Sequence, residues 1–520
     1  MMHPRPGTVD VLVVGFGPVG AALAGLLGKR GIDVLVLERD LEVFALPRAA
    51  HVDHTGLRTW QELGLLDRLL PAMQANLGLD FLTAGGELLA RIPGDQSSSS
   101  GLPTSMYFFQ PALDRAVREA VAAMPSVTVR LGTEVVGVTS ADDHVRVLAV
   151  APDGERLEVT AKWVVACDGA ASTVREQIGF AVEDLHFEEP WLVVDLVLDA
   201  ERARPGQANA ERARPGQANA ERAGPGRAIC LCDPRRPTYS IPMPARRHRF
   251  EFRLMDSDDP ATMLQASQIR DLVTPWFPER PFELERAAIY TFHGLVAENW
   301  RHQRIFLAGD AAHQMPPFLG QGMCSGLRDA ANLAWKLDLA IRANASDDLL
   351  NTYAEERRAH VRSVVESAVR IGRLICTIDP EEAAERDRRM LSDTKPPSQR
   401  IAFTLPALRP GSLVRENGGD LFVQPSGADG RLDDAIGSRF AVLARTPALI
   451  GPGPADWWRD RMGAFVAAVG QLPPSHAKGV LSWLDNHDSD VVVVRPDRYV
   501  LCAGPDLDDV TGKIAGLLGG

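Results

Sequence analysis

Cysteine is scarce in this chain, with six residues among 520. Only Cys230 and Cys232 lie close together, and their C-x-C spacing differs from the C-x-x-C spacing of structural zinc sites. Because a disulfide framework is unusual in so large a protein, we predict free thiols in a reducing, cytoplasmic compartment. H-E-x-x-H and clustered histidines are also absent, which disfavours a metal site, and the absence of G-x-S-x-G disfavours a hydrolase.

An excess of basic residues is lacking as well. The chain has 56 Lys and Arg against 68 Asp and Glu, a formal net charge of -12. A nucleic-acid partner requires a basic surface, so we predict none. This charge is compatible with an anionic small-molecule substrate only if the binding pocket is locally basic.

Only one long hydrophobic run is present, and it is interrupted. Residues 11–28 are 18 uncharged residues, the length of a membrane-span candidate, but they include five glycines and Pro18. No comparable second run follows. We therefore predict no membrane association.

The same run fits the start of a dinucleotide-binding β-α-β unit. Residues 9–14 read as a buried strand, followed by G-x-G-x-x-G, an Ala/Leu-rich helix and a second strand at 34–37. The glycines permit a tight turn, close approach of the backbone to a pyrophosphate and close helix–strand packing, while the helix N-terminus attracts the phosphates. An acid at the end of the second strand is placed to bind a ribose hydroxyl. The residues assigned to this site are Gly15, Gly17, Pro18, Val19, Gly20, Glu38 and Arg39.

Two further predicted strands end in aspartate-containing turns. A strand at 163–166 leads into D-G at 168–169, and a strand at 304–308 leads into G-D at 309–310, whose carboxylate can bind sugar-like hydroxyls. G-Q-G at 320–322 then opens a long helix, and its N-terminal amides can face a developing negative charge, such as that on a reduced flavin ring. The glycine-rich motif alone does not separate FAD from NAD. The residues assigned to these turns are Asp168, Gly169, Gly309, Asp310, Pro317, Gly320, Gly322 and Met323.

The remaining sequence indicates several structural units. Residues 40–75 have a helical pattern, and residues from about 402 onwards read as a separate α/β unit. Residues 201–220 are two identical copies of ERARPGQANA, and a decayed third copy ends at 228. This repeat is too short for a solenoid core, so we predict a surface loop between strands.

Together, the three motifs resemble the signatures of the p-hydroxybenzoate hydroxylase-like family, the single-component FAD-dependent aromatic hydroxylases. The resemblance covers nearly the whole chain, and 493–500 is similar to the end of the thioredoxin-like domain of such enzymes. The segments most similar to the branch acting on 3-(3-hydroxyphenyl)propanoate and 3-hydroxycinnamate are 47–65, 110–117, 232–237, 246–252 and 307–337. The FAD contacts that the resemblance implies are Gly15, Gly17, Gly20, Glu38, Arg48, Gln110, Asp168 and Asp310.

The resemblance also implies a mixed α/β fold of three domains. A Rossmann-like FAD-binding domain is expected at 1–75, 111–180 and 296–385. A β-sheet substrate domain is interleaved with it at 76–110 and 181–295 and contains the repeat 201–228. A linker at 386–401 and a thioredoxin-like domain at 402–520 complete the predicted order.

The implied activity is that of an FAD-dependent monooxygenase. NADH or NADPH is expected to visit a surface groove, because no second G-x-G-x-x-G is present, and O₂ supplies the oxygen. The expected reaction hydroxylates a phenolic acid ortho to its hydroxyl in phenylpropanoate degradation. A hydroxylase of a polyketide or other natural-product phenol and a flavin-binding sensor stay open, as does homo-oligomerisation.

Handling of the phenol needs a hydrogen-bonding group near its hydroxyl, and a carboxylate side chain needs a cation. The residues considered for the first role are His51, Tyr107, Tyr239 and His313. The arginines considered for a carboxylate clamp are Arg235, Arg236, Arg246, Arg247 and Arg249. For each of them a purely structural role is the competing interpretation.

Overall fold

The computed structural model describes residues 8–44, 48–94, 98–198, 226–278, 280–342, 347–401, 403–415, 417–512 and 515–516. In these residues the strands form two eight-stranded sheets, a four-stranded sheet and two smaller ones. No helix in the described segments has both the length and the apolar character to cross a membrane. All six cysteines are free thiols.

The first sheet is built on the predicted β-α-β unit. The Val9–Val14 strand pairs in parallel with Val34–Leu37 on one side and with Arg156–Ala166 on the other. Such buried parallel strands read as continuous apolar runs, as the sequence here does. The strands of this sheet are Arg301–His302, Ile305–Leu307, Arg156–Ala166, Val9–Val14, Val34–Leu37 and Val127–Arg130 in order, with Val145–Val150 and Glu134–Ser140 added in antiparallel fashion.

The second sheet forms the other wall of the central part of the molecule. Its Arg247–Arg253 strand alternates, so that Phe250 and Phe252 pack into an apolar cluster while the intervening charged residues point to the opposite face. The strands are His313–Gln314, Phe282–Ala297, Val182–Leu198, Arg247–Arg253, Thr238–Pro242, Ala228–Leu231, Gly78–Leu82 and Leu88–Pro93 in order.

The C-terminal part has its own sheet of four strands. Their sheet order is Phe465–Ala468, Ala441–Ala444, Val491–Val494 and Val500–Gly504. The two strands of this sheet that come first in sequence, Ala441–Ala444 and Phe465–Ala468, pair in parallel, and the other pairs are antiparallel. Helices connect the first three strands in sequence, which is the arrangement of a thioredoxin fold. The fold predicted for this part is confirmed. Two short strands, Ser426–Gly427 and Gly430–Arg431, precede it.

The helices flank these sheets and bury their apolar faces on them. The α-helices are Pro18–Lys29, His54–Glu62, Leu66–Leu69, Gln110–Ala122, Thr173–Gln177, Pro260–Met263, Ala266–Val273, Gly322–Arg342, Asp347–Ile375, Pro380–Ser392, Pro397–Arg400, Leu432–Ile436, Pro452–Asp456, Pro474–Asn486 and Leu507–Gly512. A π-helical turn covers Trp457–Arg461. The main core lies between the first sheet and the Pro18–Lys29 and Gly322–Arg342 helices.

The helical pattern predicted for residues 40–75 is wrong in its first part. His51–Asp53 is a strand, paired in a small sheet with Ser105–Tyr107, which in turn pairs with Gln74–Ala75. Helix begins only at His54, capped by the Asp53 carboxylate, which accepts hydrogen bonds from the Thr55 and Gly56 amides. Cross-strand pairing has overridden the local pattern here.

The predicted domain boundaries stay a prediction, although two observations bear on them. Residues 386–392 of the predicted linker belong to the Pro380–Ser392 helix, in which Arg386 and Met390 are buried. The decapeptide repeat lies outside the described residues except for its last three positions. There Ala228 already begins the Ala228–Leu231 strand.

Candidate active site

One large cavity of about 670 Å³ lies between the two eight-stranded sheets. Its volume falls within the roughly 300–1,000 Å³ that is typical of ligand sites. Lining residues come from the turns at the ends of the first-sheet strands and from one face of the second sheet. The cavity therefore connects the predicted dinucleotide site with the predicted substrate domain.

The glycine-rich turn has the geometry that its motif predicts. Gly15 has φ +95°, and a Cβ there would lie 2.5 Å from the Cys167 carbonyl oxygen. A Cβ at Gly20 would lie 2.1 Å from the Gly15 carbonyl oxygen, so this glycine serves helix–strand packing. Gly17 is different, because apart from its chain neighbours no described residue lies within 4 Å of its Cβ position, and Gly17 itself lines the cavity. The space in front of the Pro18–Lys29 helix N-terminus is thus open to a phosphate group.

Glu38 lies at the end of the second strand and borders the same space. One carboxylate oxygen accepts a hydrogen bond from the Phe16 amide at 2.7 Å, and the other accepts one from the Asp40 amide at 2.9 Å. Arg118 pairs with this carboxylate at 3.6 Å and donates to the Phe16 carbonyl. The acid therefore fixes the glycine-rich turn and keeps lone pairs for a hydroxyl. Pro18, Val19 and the exposed Arg39 also line the cavity.

Gln110 organises the segment that contains Arg48. Its side-chain oxygen accepts hydrogen bonds from the Arg48 and Ala49 amides, both at 2.7 Å, and its nitrogen donates to Asp114 at 3.2 Å. Burial raises the pKa of Asp114 to about 7. All four residues line the cavity. The two residues that the resemblance added, Arg48 and Gln110, are therefore neighbours.

The two aspartates of the later motifs also border the cavity. The Oδ2 atom of Asp168 accepts a hydrogen bond from the Val174 amide at 3.2 Å, whereas its buried Oδ1 atom has no partner among the described residues. The Asp310 side chain lines the cavity and is accessible from it. Desolvation by the surrounding residues raises the pKa of its carboxyl group. Gly169 lines the cavity with open space at its Cβ position, and Gly309 (φ +62°) packs against Val19. The hydroxyl groups of a polyhydroxylated ligand can donate hydrogen bonds to acceptors that have no protein partner.

The turn before the Gly322–Arg342 helix is held by His51. The Nδ1 atom of His51 donates to the Gly320 carbonyl at 3.0 Å, and its Nε2 atom accepts from the Ser105 hydroxyl at 2.6 Å. Burial lowers the pKa of His51, which favours the neutral ring that this pattern needs. Apart from its chain neighbours and its own helix backbone, the nearest atom of the described residues to the Cβ position of Gly322 is Cγ of Met315, at 4.0 Å. Pro317, Gly320, Gly322 and Met323 all line the cavity.

Aromatic side chains form part of the cavity wall. The Tyr239 ring stacks on Phe318 with centroids 5.7 Å apart, and its hydroxyl donates to the Phe318 carbonyl at 3.4 Å. Phe292 meets Phe318 edge to face at 6.1 Å. Burial raises the pKa values of Tyr239 and Tyr107, so both phenolic hydroxyls stay protonated at neutral pH. The wall suits a flat aromatic ligand.

His313, the third predicted catalytic residue, is not among the residues that line the cavity. It is buried, stacks on Trp300 at 5.5 Å and hydrogen-bonds with Nε2 to Asp329 at 2.8 Å. The same Asp329 oxygen accepts from the Gly309 amide at 3.1 Å. In this position His313 supports the turn that carries Asp310.

Of the five arginines considered for a carboxylate clamp, only Arg249 lines the cavity. Arg235 pairs with Asp233, and Arg236 pairs with Asp258. Arg247 pairs with Glu285, and Arg246 lies in the tight turn before its strand with φ +61°. The cavity wall formed by the second sheet is therefore less basic than the sequence alone allowed.

Sequence reasoning missed Glu251, a buried acid in the same wall. It lies two residues after Arg249 on the cavity-facing side of the Arg247–Arg253 strand. Burial raises the pKa of its carboxyl group to about 7. The signal that could have found it is the alternation R-H-R-F-E-F-R, in which every second residue is charged.

One cavity thus joins a glycine-rich turn on parallel strands, aspartates at two further turns and an aromatic wall. These features define an FAD-dependent enzyme that acts on an aromatic ring. Residues 8–368 match the family described as FAD binding domain, and residues 419–516 match the family described as HcaD C-terminal domain. The chain belongs to this FAD-binding family of flavoprotein aromatic hydroxylases and is a monooxygenase. The predicted family, fold class and FAD cofactor are confirmed.

Two curated relatives cover almost the whole chain. A probable NADH-specific resorcinol 4-hydroxylase from Rhodococcus jostii (strain RHA1) is 35% identical over 522 residues, covering 97% of this chain and 93% of the relative. A 3-(3-hydroxy-phenyl)propionate/3-hydroxycinnamic acid hydroxylase from Escherichia coli O81 (strain ED1a) is 34% identical over 528 residues, covering 95% and 91%.

Solved structures agree with this assignment. The p-nitrophenol 4-monooxygenase from Pseudomonas putida DLL-E4 is similar with a TM-score of 0.64 and 25% identity, covering 74% of this chain and 93% of that one. Aklavinone-11 hydroxylase, in a ternary complex with FAD and aklavinone, has a TM-score of 0.77 at 22% identity and covers 99% of this chain and 100% of its own. The second likeness shows the fold alone.

Proposed function

We propose that this protein hydroxylates a meta-substituted phenol ortho to its hydroxyl, with NADH as electron donor and O₂ as oxygen source. The observation that carries the proposal is the continuous cavity that joins the dinucleotide turns to the aromatic wall. Bound FAD supplies the transfer of electrons from NADH to O₂ and the delivery of one oxygen atom to the ring. In balance, phenol, NADH, H⁺ and O₂ give a dihydroxybenzene unit, NAD⁺ and water.

The residues at the cavity fit FAD. In the proposed binding mode, the helix N-terminus that follows Gly17 would hold the pyrophosphate, and Glu38 would hold the adenosine ribose. Asp168 and Asp310 accept hydrogen bonds from the cofactor's hydroxyl groups, which supplies the partner that Asp168 Oδ1 lacks among the described residues. The amides after Gly320 would hold the flavin ring and could stabilise negative charge on it.

The protein would contribute orientation and exclusion of water at the ring. Tyr239, Phe292 and Phe318 are packed against one another, so they can hold a flat substrate without rearrangement. Tyr239 and Phe318 are buried, which would help to keep water from the reacting atoms. His51 and Tyr239 stay candidates for contact with the phenol.

The named relatives support two substrate types. One acts on 3-(3-hydroxyphenyl)propanoate and 3-hydroxycinnamate, which would place this protein in phenylpropanoate degradation, and the other acts on resorcinol. Each of these compounds is a phenol substituted at the meta position. The relative described as NADH-specific supports NADH over NADPH, and six free thiols support a reducing, cytoplasmic location.

The test is a coupled assay on the purified protein. Its visible spectrum reports bound flavin, and NADH and O₂ consumption are followed with resorcinol, 3-(3-hydroxyphenyl)propanoate or no phenol, with product identification. Stimulated consumption with a product hydroxylated ortho to the original hydroxyl is expected. NADH oxidation that no phenol accelerates would overturn the proposal and favour a flavin-binding sensor.

A further inference from the structure

Glu251 is a carboxylate in the wall that the second sheet gives to the cavity. It is 6% exposed, and across the sheet it lies opposite Tyr239 in the antiparallel register. Opposite residues in such a pair have Cβ atoms about 5 Å apart, so the Glu251 side chain stands beside the Tyr239 ring. Because Tyr239 stacks on Phe318, just before the turn at Gly320, Glu251 belongs to the part of the wall nearest that turn.

The neighbouring charges are already balanced. Arg249 donates through Nε and Nη2 to the two oxygens of Asp195, at 2.8 and 3.1 Å, and through Nη1 to the Arg48 carbonyl. Arg286 also contacts Asp195, at 3.4 Å, and donates to the Tyr290 hydroxyl. Two arginines thus face two acids, Asp195 and Glu251.

The described part of this wall contributes no further lysine or arginine to the cavity. Among the described lining residues that the second sheet contributes, Arg249 is the only one of either type. The fork of its guanidinium that would grip a substrate carboxylate holds Asp195 instead. A carboxylate bound against this wall would lie next to the Glu251 acid, and among the described lining residues the wall supplies no lysine or arginine besides Arg249. Arg48, which also lines the cavity, comes from outside this wall.

We infer that Glu251 is a specificity-determining residue that accepts a hydrogen bond from a hydroxyl of the substrate and selects uncharged phenols over phenolic acids. The inference rests on the proposed hydroxylase function and narrows its substrate class. A dihydroxybenzene offers one hydroxyl to Glu251 and keeps the other to activate the ring. A buried acceptor of this kind is well satisfied by a hydroxyl donor and poorly by a second carboxylate.

The ionisation of Glu251 agrees with this role. The groups that face it are Arg249 and Arg286, which favour its charged form, Asp195, which opposes that form, and the Tyr239 ring. Burial is the largest influence, and it raises the pKa to about 7. Above that pH the side chain is an anionic acceptor.

The experiment compares an acid with its neutral amide of the same shape. Binding of 3-(3-hydroxyphenyl)propanoate, its carboxamide and resorcinol is measured from changes in the visible flavin spectrum of the holoenzyme, without NADH. The variants are wild type, Glu251→Gln and the matched control Glu283→Gln, an exposed glutamate on the same sheet. The pH is set about one unit above the pKa of Glu251.

We expect wild type to bind the amide at least about tenfold more tightly than the acid, since a buried like-charge contact costs more than 1.4 kcal/mol. Glu251→Gln should reduce this ratio towards one, and Glu283→Gln should keep it. A wild-type ratio of one or below overturns the inference without any variant, as does an unchanged ratio in Glu251→Gln that retains FAD.

Product analysis separates this inference from the proposed function. If the ratio shifts as expected but none of the three phenols is hydroxylated, the proposed function fails and the role of Glu251 in selecting charge stands. If the acid is hydroxylated efficiently and bound as well as its amide, the function stands and the inference fails. Failure of all three compounds to bind wild type overturns both.

Discussion

The imidazole of His51 donates a hydrogen bond to the carbonyl oxygen of Gly320 at 3.0 Å, across 269 residues of sequence. This bond ties the small sheet that contains His51–Asp53 to the turn that opens the Gly322–Arg342 helix. The His51 ring leaves no room for a side chain at Gly320, because a Cβ there would lie 2.5 Å from His51 Nδ1. Gly320 has φ +63°, a conformation that glycine adopts without strain.

Gly320→Ala should therefore lower both stability and flavin retention. The positive φ costs about 1 kcal/mol and the overlap with the His51 ring about 1–3 kcal/mol more. The matched control is Gly64→Ala, because Gly64 has φ +74° and open space around it, so it should lose only the first amount. Chemical denaturation and the flavin-to-protein ratio measure the two effects. Equal losses in the two variants would contradict a packed contact at Gly320.

A second prediction separates positioning by His51 from proton transfer by His51. His51→Asn keeps a side-chain N–H near the place of Nδ1, whereas His51→Leu leaves the Gly320 carbonyl and the Ser105 hydroxyl without their partner, at about 1–3 kcal/mol for each. If His51 positions the turn, Asn should retain most bound flavin and most turnover, and Leu should lose both. A loss of turnover in His51→Asn with full flavin content would instead make His51 a catalytic residue.

Asp310 is the sharpest test of the FAD assignment. Its carboxylate opens onto the cavity, and hydrogen bonds from hydroxyls to a charged acceptor are worth about 1.5–3 kcal/mol each. Asp310→Ala should raise the FAD dissociation constant about 10- to 150-fold, as measured by titration of apoprotein. Asp348→Ala, at an exposed position in the first turn of another helix, is the control. A full flavin complement in Asp310→Ala after dialysis would show that the aspartate does not hold the cofactor.

The parts of the site that sequence could predict are those whose signal is local. The strand at 9–14, the glycines after it and the helix beginning at Pro18 depend on residues within one short segment, and all appear where expected. The extended backbone at 48–53 could not be found in this way. Its amides are held by Gln110 and its strand pairs with Ser105–Tyr107, so its conformation is set by residues more than 50 positions away.

Glu251 shows the same limit for function. The sequence R-H-R-F-E-F-R predicts a strand with a charged face, but a charged face is usually solvated. Only the packing of two sheets around one cavity buries Glu251 and pairs Arg249 with Asp195. Arg249, which the sequence suggested as a carboxylate clamp, is therefore bound to Asp195 of the protein itself.

Burial of Glu251 also predicts how stability varies with pH. Its folded-state pKa of about 7 lies above the ordinary value of 4.5. The contribution of Glu251 to the free energy of unfolding is therefore fully present below pH 4.5. It decreases as the pH rises, because the side chain ionises first in the unfolded chain, and it is fully lost above pH 7. Glu251→Gln removes this titration, so its free energy of unfolding should exceed that of wild type by a margin that grows between these pH values and reaches up to about 3 kcal/mol.

Urea denaturation of the FAD-saturated proteins at about pH 5 and about pH 8 measures the margin, with exposed Glu283→Gln running parallel to wild type. A margin that stays constant as the pH rises would mean that folding leaves the pKa of Glu251 unchanged, and a margin that shrinks would mean that folding stabilises its charged form. Either result would contradict the effect of its burial in the cavity wall.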